Sequence, residues 1–313
     1  EPIMAVFTDF TFASSTGVNE IHVRKCIPEG NVRGVVQIAH GIAEHVGRYE
    51  DFMSFLADNG FVAVANDHLG HGQTARNVAE KGLFALKNGW TYAVDDMARL
   101  HDLMQKDYPG VPYIMFGHSM GSFLTRTYII RYPDKYDLVI LSGTGHQSKA
   151  LVYAGNLMSD ALCKIKGATA RGDLLNNVAF GSYLKRITNP RTPCDWLSRD
   201  DKVVDRYVAD DNCGFVCKNG LYRDMMHGIR FIMAPKNLAL MRKTKPVYFM
   251  SGQLDPVGDY GLGVERAYKA FLDAGCTDVK IKLYPGGRHE MLNETNKDEV
   301  YRDILAWIES KLP

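Results

Sequence analysis

Short apolar runs that alternate with segments of helical period constrain this chain more than any other feature. Residues 35–39, 61–65, 113–116 and 138–141 are apolar nearly throughout. Runs of four or five such residues read as strands buried on both faces. Helices are predicted between them. Residues 49–59 put Phe52, Phe55 and Leu56 on one face and end at Gly60. Residues 92–106 follow with Thr91 as N-cap and Asp95 and Asp96 in the first turns. Residues 122–132 stop at Pro133.

The alternation then fails. Between 145 and 243 no buried strand can be read. Leu151, Ala154, Met158, Leu162 and Ile165 recur at helical spacing, and so do Met225, Met226, Ile229, Ile232 and Met233. The pattern resumes with a strand at 247–250, a helix at 264–274 closed by Gly275, a strand at 279–283 and a last helix at 297–311. Ahead of it all, runs at 5–14 and 19–26 flank Ser15-Thr16-Gly17 and read as a hairpin. Strands alternating with helices demand a mostly parallel sheet covered on both faces. The expected class is therefore α/β, with an antiparallel N-terminal edge. Residues 1–144 and 244–313 form the core, and 145–243 form an inserted helical cap, or lid. At 313 residues the chain buries a large core without disulfide or metal staples.

Charge excludes several partners. Lys and Arg number 37 against 36 Asp and Glu, which gives no basic footprint for nucleic acid and no polybasic membrane anchor. No apolar stretch reaches the ~18 residues that span a bilayer. The given sequence opens Glu1-Pro2-Ile3-Met4 without a basic n-region and apolar h-region, so no signal peptide is expected. Among the six cysteines only Cys213 and Cys217 are close, and no second Cys/His pair completes a zinc site. Reduced thiols and a cytoplasmic protein are the plain expectation.

Gly117-His118-Ser119-Met120-Gly121 carries the chemistry. It fits G-x-S-x-G, and it follows an apolar strand and precedes a helix, as that motif must. Glycines let the backbone fold back, and the serine arrives at a helix N-terminus that favours an oxyanion. A serine hydroxyl needs a base to take its proton, and in such proteins the order along the chain is Ser, Asp/Glu, His. Of ten histidines only His289 lies beyond the resumed strands, in Pro285-Gly286-Gly287-Arg288-His289-Glu290. Asp255 ends the preceding strand, with Pro256 after it; Asp259 is its competitor. A buried carboxylate there fixes the imidazole tautomer. Asp67 also ends a strand but precedes the serine. His118 reads as a packing and hydrogen-bonding residue at the substrate site, not as the base. The loop at His40-Gly41-Ile42 supplies one oxyanion donor, the Ile42 N–H, and Met120 N–H supplies the other.

Taken together, His40-Gly41-Ile42-Ala43-Glu44-His45 with Gly47-Arg48-Tyr49, then Asp67-His68-Leu69-Gly70-His71-Gly72-Gln73-Thr74, then the serine pentapeptide, resemble one group. It is the monoacylglycerol lipase and lysophospholipase branch of the serine hydrolases of α/β-hydrolase fold, filed with serine aminopeptidase-type hydrolases. The resemblance implies hydrolysis of a small acyl ester with no metal or organic cofactor, and transient contact with a lipid surface. It implies that His40 and Gly41 carry the oxyanion loop and that Glu44 and Arg48 shape the polar end of the substrate site. A structural ion pair explains Glu44 and Arg48 equally well. Asp67, His68 and His71 look like hydrogen-bonding scaffold. Asp195-Trp196-Leu197-Ser198-Arg199-Asp200, with Tyr207-Val208-Ala209-Asp210 and Cys213-Gly214-Phe215, is similar to caps of bacterial lysophospholipase-like hydrolases. It departs from the mammalian-type lipase cap, whose glycerol contacts are not carried over. Two other readings stay open: an aminopeptidase or amidase with the same triad, and a non-catalytic binding protein on a hydrolase fold.

Overall fold

The computed structural model describes residues 6–312; Glu1-Pro2-Ile3-Met4, and the start of the first predicted strand at Ala5, lie outside them. Eight strands form one sheet: β1 (Val6–Ala13), β2 (Glu20–Ile27), β3 (Gly34–Ala39), β4 (Phe61–Asn66), β5 (Tyr113–His118), β6 (Leu138–Ser142), β7 (Val247–Gly252) and β8 (Val279–Tyr284). Their order is β1-β2-β4-β3-β5-β6-β7-β8. The β1–β2 and β2–β4 pairs are antiparallel and the remaining pairs parallel, so the expected edge and sheet are both present.

Three helices complete the βα units before the break: α1 (Glu50–Asp58), α2 (Gly89–Asp107) and α3 (Met120–Arg131). Between β6 and β7 run α4 (Lys149–Lys166), α5 (Asp173–Phe180), α6 (Asp201–Ala209), α7 (Asn219–Met233) and α8 (Pro235–Leu238); α9 (Leu262–Asp273) and α10 (Lys297–Lys311) close the chain. Strand alternation sorts the core. Val35, Val62 and Val139 pack with Val94, Leu124 and Phe271 of α2, α3 and α9. Val36, Ala63 and Ile140 pack with Phe52, Ile304 and Trp307 of α1 and α10. The one polar side chain inside β3, Gln37, is satisfied by the Met97 carbonyl at 2.9 Å and by the Tyr113 hydroxyl, as burial requires.

Two expectations need correction. Helix α2 begins at Gly89, and Asn88 precedes it in the left-handed region at φ 57° with no side-chain cap, so Thr91 caps nothing. Close packing moves the start: a Cβ on Gly89 would sit 2.7 Å from the Phe84 Cβ. Asp96 does not serve the helix dipole. It is buried, accepting from the Ser14 hydroxyl at 2.7 Å and the Ser15 N–H at 2.6 Å, and so latches the hairpin turn to α2.

The second correction concerns α4. The helix exists, but Leu151, Ala154, Met158 and Ile165 of the expected stripe are exposed, and Leu162 is half-buried. Its buried side is Val152, Asn156 and Ser159. That side faces α7 so closely that a Cβ on Gly155 would lie 2.4 Å from the Met226 Cε. Small residues win this interface because they let the backbones approach, and the bulky residues point outward.

Candidate active site

Ser119 sits between β5 and α3 with φ 55° and ψ −123°, a conformation that residues with a side chain rarely hold. Two contacts impose it. A Cβ on Gly117 would lie 2.5 Å from the Gly121 carbonyl oxygen, and one on Gly121 would lie 2.0 Å from that of Ala39. Glycine alone fits at both, so the pentapeptide is a packing requirement as much as a turn signal.

The loop after β8 brings His289 to the same place. Its Nδ1 lies 2.9 Å from Asp255 Oδ2. Asp255, in the loop after β7, is fully buried and also accepts from the Val257 N–H at 2.9 Å. Burial alone would depress the imidazole pKa. The Asp255 carboxylate against Nδ1, with Glu290 and Glu44 farther off, instead carries it above the ordinary value. Asp259, the competing acid, is half-buried and held in an ion pair with Arg266 at 3.0 Å. Ser119 and His289 line one cavity. No hydrogen bond joins hydroxyl and imidazole among the described residues, a contact that in such sites often tightens only around substrate.

Gly41 closes on the serine from the other side: a Cβ there would lie 3.1 Å from Ser119 Cβ. The Ile42 N–H lies in this loop, and Met120, first in α3, has no intrahelical partner for its N–H. Buried histidines shape the loop. His40 donates from Nδ1 to the Gly41 carbonyl at 2.7 Å and accepts the His68 N–H at Nε2, 3.0 Å. His71 Nε2 accepts the Ala43 N–H at 3.1 Å. Burial, aided by its histidine neighbours, pushes the His40 pKa down to about 3, so it stays neutral. Asp67 accepts from the Val46 and Gln73 N–H groups, each at 2.9 Å. These three residues, Asp67, His68 and His71, are scaffold as expected.

At the polar end Glu44 accepts from the Gly41 N–H, from the Tyr49 hydroxyl at 2.6 Å and from Arg48 at 2.7 Å. Burial would raise its pKa, but the Arg48 guanidinium and nearby groups hold it well below the carboxylate range. Arg48 also grips Glu290 with two bonds, at 2.5 and 2.7 Å, and lies over the Tyr207 ring. His118 contacts the Ser142 hydroxyl at 3.2 Å, and its pKa is pushed down to about 4 by burial and by His289. It stays neutral near pH 7.

The cavity measures about 290 Å³. Gly41, Ile42, Glu44, His118, Ser119 and His289 line it. His40, Arg48, Met120 and Asp255 stand behind its wall. The His40 and Arg48 side chains do not themselves line the cavity: His40 is spent on the loop backbone, and Arg48 is paired with two carboxylates. Ala43 and Glu290 line it as well, and the rest of the wall comes from the insertion, through residues such as Phe180, Leu184, Trp196, Tyr207 and Phe215. The sequence assigns no role of their own to Glu290, Trp196 and Gly143. Glu290 had one signal, its place directly after the base. Gly143, at φ 58°, lies under the imidazole, since a Cβ there would sit 3.0 Å from His289 Cε1.

All six cysteines are free thiols. His45, Asp210 and Cys213 bring three ligand atoms within 4.8 Å of one another. His45 and Asp210 are already hydrogen-bonded at 2.7 Å, and burial raises the Cys213 thiol strongly. This cluster ties the insertion to the loop after β3 rather than facing the serine. Among the described residues no helix is long and apolar enough to cross a membrane.

Residues 30–296 match the family model described as serine aminopeptidase, S33. The chain is 30% identical over 310 residues to monoacylglycerol lipase of Mycolicibacterium smegmatis, covering 97% of this chain and 98% of that one. It is 27% identical to monoglyceride lipase of Homo sapiens, covering 91% of this chain and 85% of the human one. Among solved structures, a carboxyl esterase from Bacillus coagulans in complex with glycerol superimposes with a TM-score of 0.91 at 30% identity, covering 98% of this chain and 99% of that one.

Proposed function

The chain belongs to the serine aminopeptidase S33 family, among its monoglyceride-lipase-like α/β hydrolases, and on that premise we propose that it hydrolyses the ester of a neutral monoacylglycerol. In this reading Ser119 Oγ attacks the acyl carbonyl while His289 takes its proton. Asp255 orients the imidazole and stabilises the imidazolium. The Ile42 and Met120 N–H groups receive the tetrahedral oxyanion, each worth about 3 kcal/mol of barrier. His289 returns the proton to the leaving alcohol, and water activated by the same ring releases the acid.

One observation carries the choice of alcohol. The cavity wall holds two carboxylates, Glu44 and Glu290, and no Lys or Arg; Arg48 behind them is shared by both, so the trio keeps one net negative charge. Carboxylates accept hydrogen bonds and repel anions. That wall suits a polyol whose hydroxyls donate, and it opposes the phosphate of a lysophospholipid. Apolar Phe180, Leu184 and Phe215 suit the acyl chain. Residues 145–243 act as the cap, and the exposed Leu151, Leu157, Met158 and Ile165 of α4 meet the lipid surface on which such substrates reside. Thiols left free support a reducing, cytoplasmic setting.

The carboxylate pair also keeps a second reading alive, an aminopeptidase that holds a substrate amine there. Turnover of monoacylglycerol, a lysophosphatidate of the same chain, and an amino-acid p-nitroanilide decides among them. Monoacylglycerol is expected to be fastest by ten-fold or more; faster anilide turnover, or equal lysophosphatidate turnover, overturns the choice. Loss of all three in Ser119→Ala is expected, and full retained activity would rule out the triad.

A further inference from the structure

The histidine loop does not hold itself. Segment 195–200 of the insertion runs beside it and bonds to it at nearly every step. The Glu290 N–H donates to the Leu197 carbonyl at 2.8 Å, and the His289 N–H to that of Trp196 at 3.4 Å. Arg288 Nη1 donates to the Asp195 and Ser198 carbonyls at 2.6 and 3.0 Å. In the reverse direction the Ser198 hydroxyl donates to the Asn293 carbonyl at 2.9 Å. Arg199 binds the fully buried Glu294 carboxylate through its N–H at 3.1 Å and Nε at 2.9 Å. Gly286 is held at φ 71°, where a Cβ would lie 2.8 Å from Arg199 Nη1. The loop is thus moulded on the insertion, not merely covered by it.

This contact sets one ring against another at a tilt of 41°. The Trp196 indole lies 5.0 Å, centroid to centroid, from the His289 imidazole. Tyr183 at 4.8 Å and Phe180 at 6.0 Å buttress the indole in turn. An aromatic face attracts a cation, and in turnover an imidazolium forms at His289 when it takes the serine proton.

We propose that Trp196 is a positioning residue for His289: the 195–200 segment pins the histidine loop, and the indole holds the imidazole while it carries the proton. The inference rests on His289 being the general base. Segment 195–200 of the insertion therefore belongs with the histidine loop and cannot swing aside without carrying the base along.

The test must separate this role from lining the acyl pocket, so the substrate is p-nitrophenyl acetate, whose two-carbon acyl group is too short to fill that pocket. In Trp196→Leu, which keeps apolar volume without a π face, kcat is expected to fall about ten-fold with KM within two-fold. Trp196→Phe restores kcat to within about three-fold of the native value. Ser198→Ala, which removes one stitch and leaves the ring, lowers kcat by a smaller factor at constant KM. A second readout is spectroscopic. A protonated imidazole quenches a neighbouring indole, so native fluorescence is expected to fall on acidification with the midpoint of the kinetic acid limb. That step disappears in Trp196→Phe and in His289→Gln. Native kcat on the acetate in Trp196→Leu, or losses confined to long-chain esters, overturns the proposal and leaves Trp196 as acyl packing. Native turnover in Ser119→Ala is a different failure, that of the triad itself.

Discussion

The sheet core and helix α4 both carry apolar residues at regular spacing, yet they use them in opposite ways. In β3, β5 and β7 every residue is buried. In α4 the regular stripe faces solvent, and the buried side is Val152, Asn156 and Ser159 with Gly155 against Met226. Apolar spacing therefore reports a surface that must be covered, but not what covers it. In the core the chain itself supplies the cover. On α4 nothing within the described residues does, and a lipid surface is the cover proposed above.

The largest effect that sharpens this contrast belongs to the core. Asp255→Asn keeps the shape behind His289 and fixes the wrong tautomer, so kcat/KM is expected to fall by about 10^4 with little change in Tm. A loss under ten-fold would remove Asp255 from its role. Stability should separate the two regions next. Phe116→Ala, buried between β3 and β6, is expected to cost about 3–5 kcal/mol, whereas Leu157→Ala on α4 should stay within about 0.5 kcal/mol. Denaturant midpoints check both, and equal costs would erase the distinction drawn here.

Smaller and more telling is Leu151→Glu combined with Leu157→Glu. Turnover of monoacylglycerol presented in vesicles is expected to drop by roughly three- to ten-fold, because each change removes apolar burial at the lipid boundary. Hydrolysis of dissolved p-nitrophenyl acetate should not change; parallel losses on both would mean that α4 supports the fold. The smallest effect is in pH. His289 works as a base only when neutral, and its pKa lies above the ordinary imidazole value. Activity should therefore fall as pH drops, with a midpoint above ~6.5. Replacing Asp255 by Asn should move that midpoint down.

The same contrast marks what could be read from the sequence. The eight strands, the hairpin edge and the break in alternation are set by local apolar runs, and they were legible from residue type alone. The convergence of Ser119, Asp255 and His289 on one place could also be read, because a tight turn and chain order restrict the choices; their catalytic roles are the proposal above. Helix α2 was misplaced at its start because tertiary contacts at Gly89, not a side-chain cap, fix it. The orientation of α4 was illegible because backbone proximity at Gly155 outweighs side-chain hydrophobicity. The contacts of Trp196 and Gly143 with His289 were illegible for a related reason. Each meets His289 across a long stretch of chain, and neither carries a local signal that predicts the meeting.

The central claim is that the Ser119 hydroxyl is the nucleophile, activated from the loop after β8. A fluorophosphonate probe followed by peptide mass spectrometry tests it most directly. The account predicts one adduct, on Ser119, absent in Ser119→Ala and formed far more slowly in His289→Gln. Folded protein that stays unlabelled, or an adduct on any other residue, would contradict it.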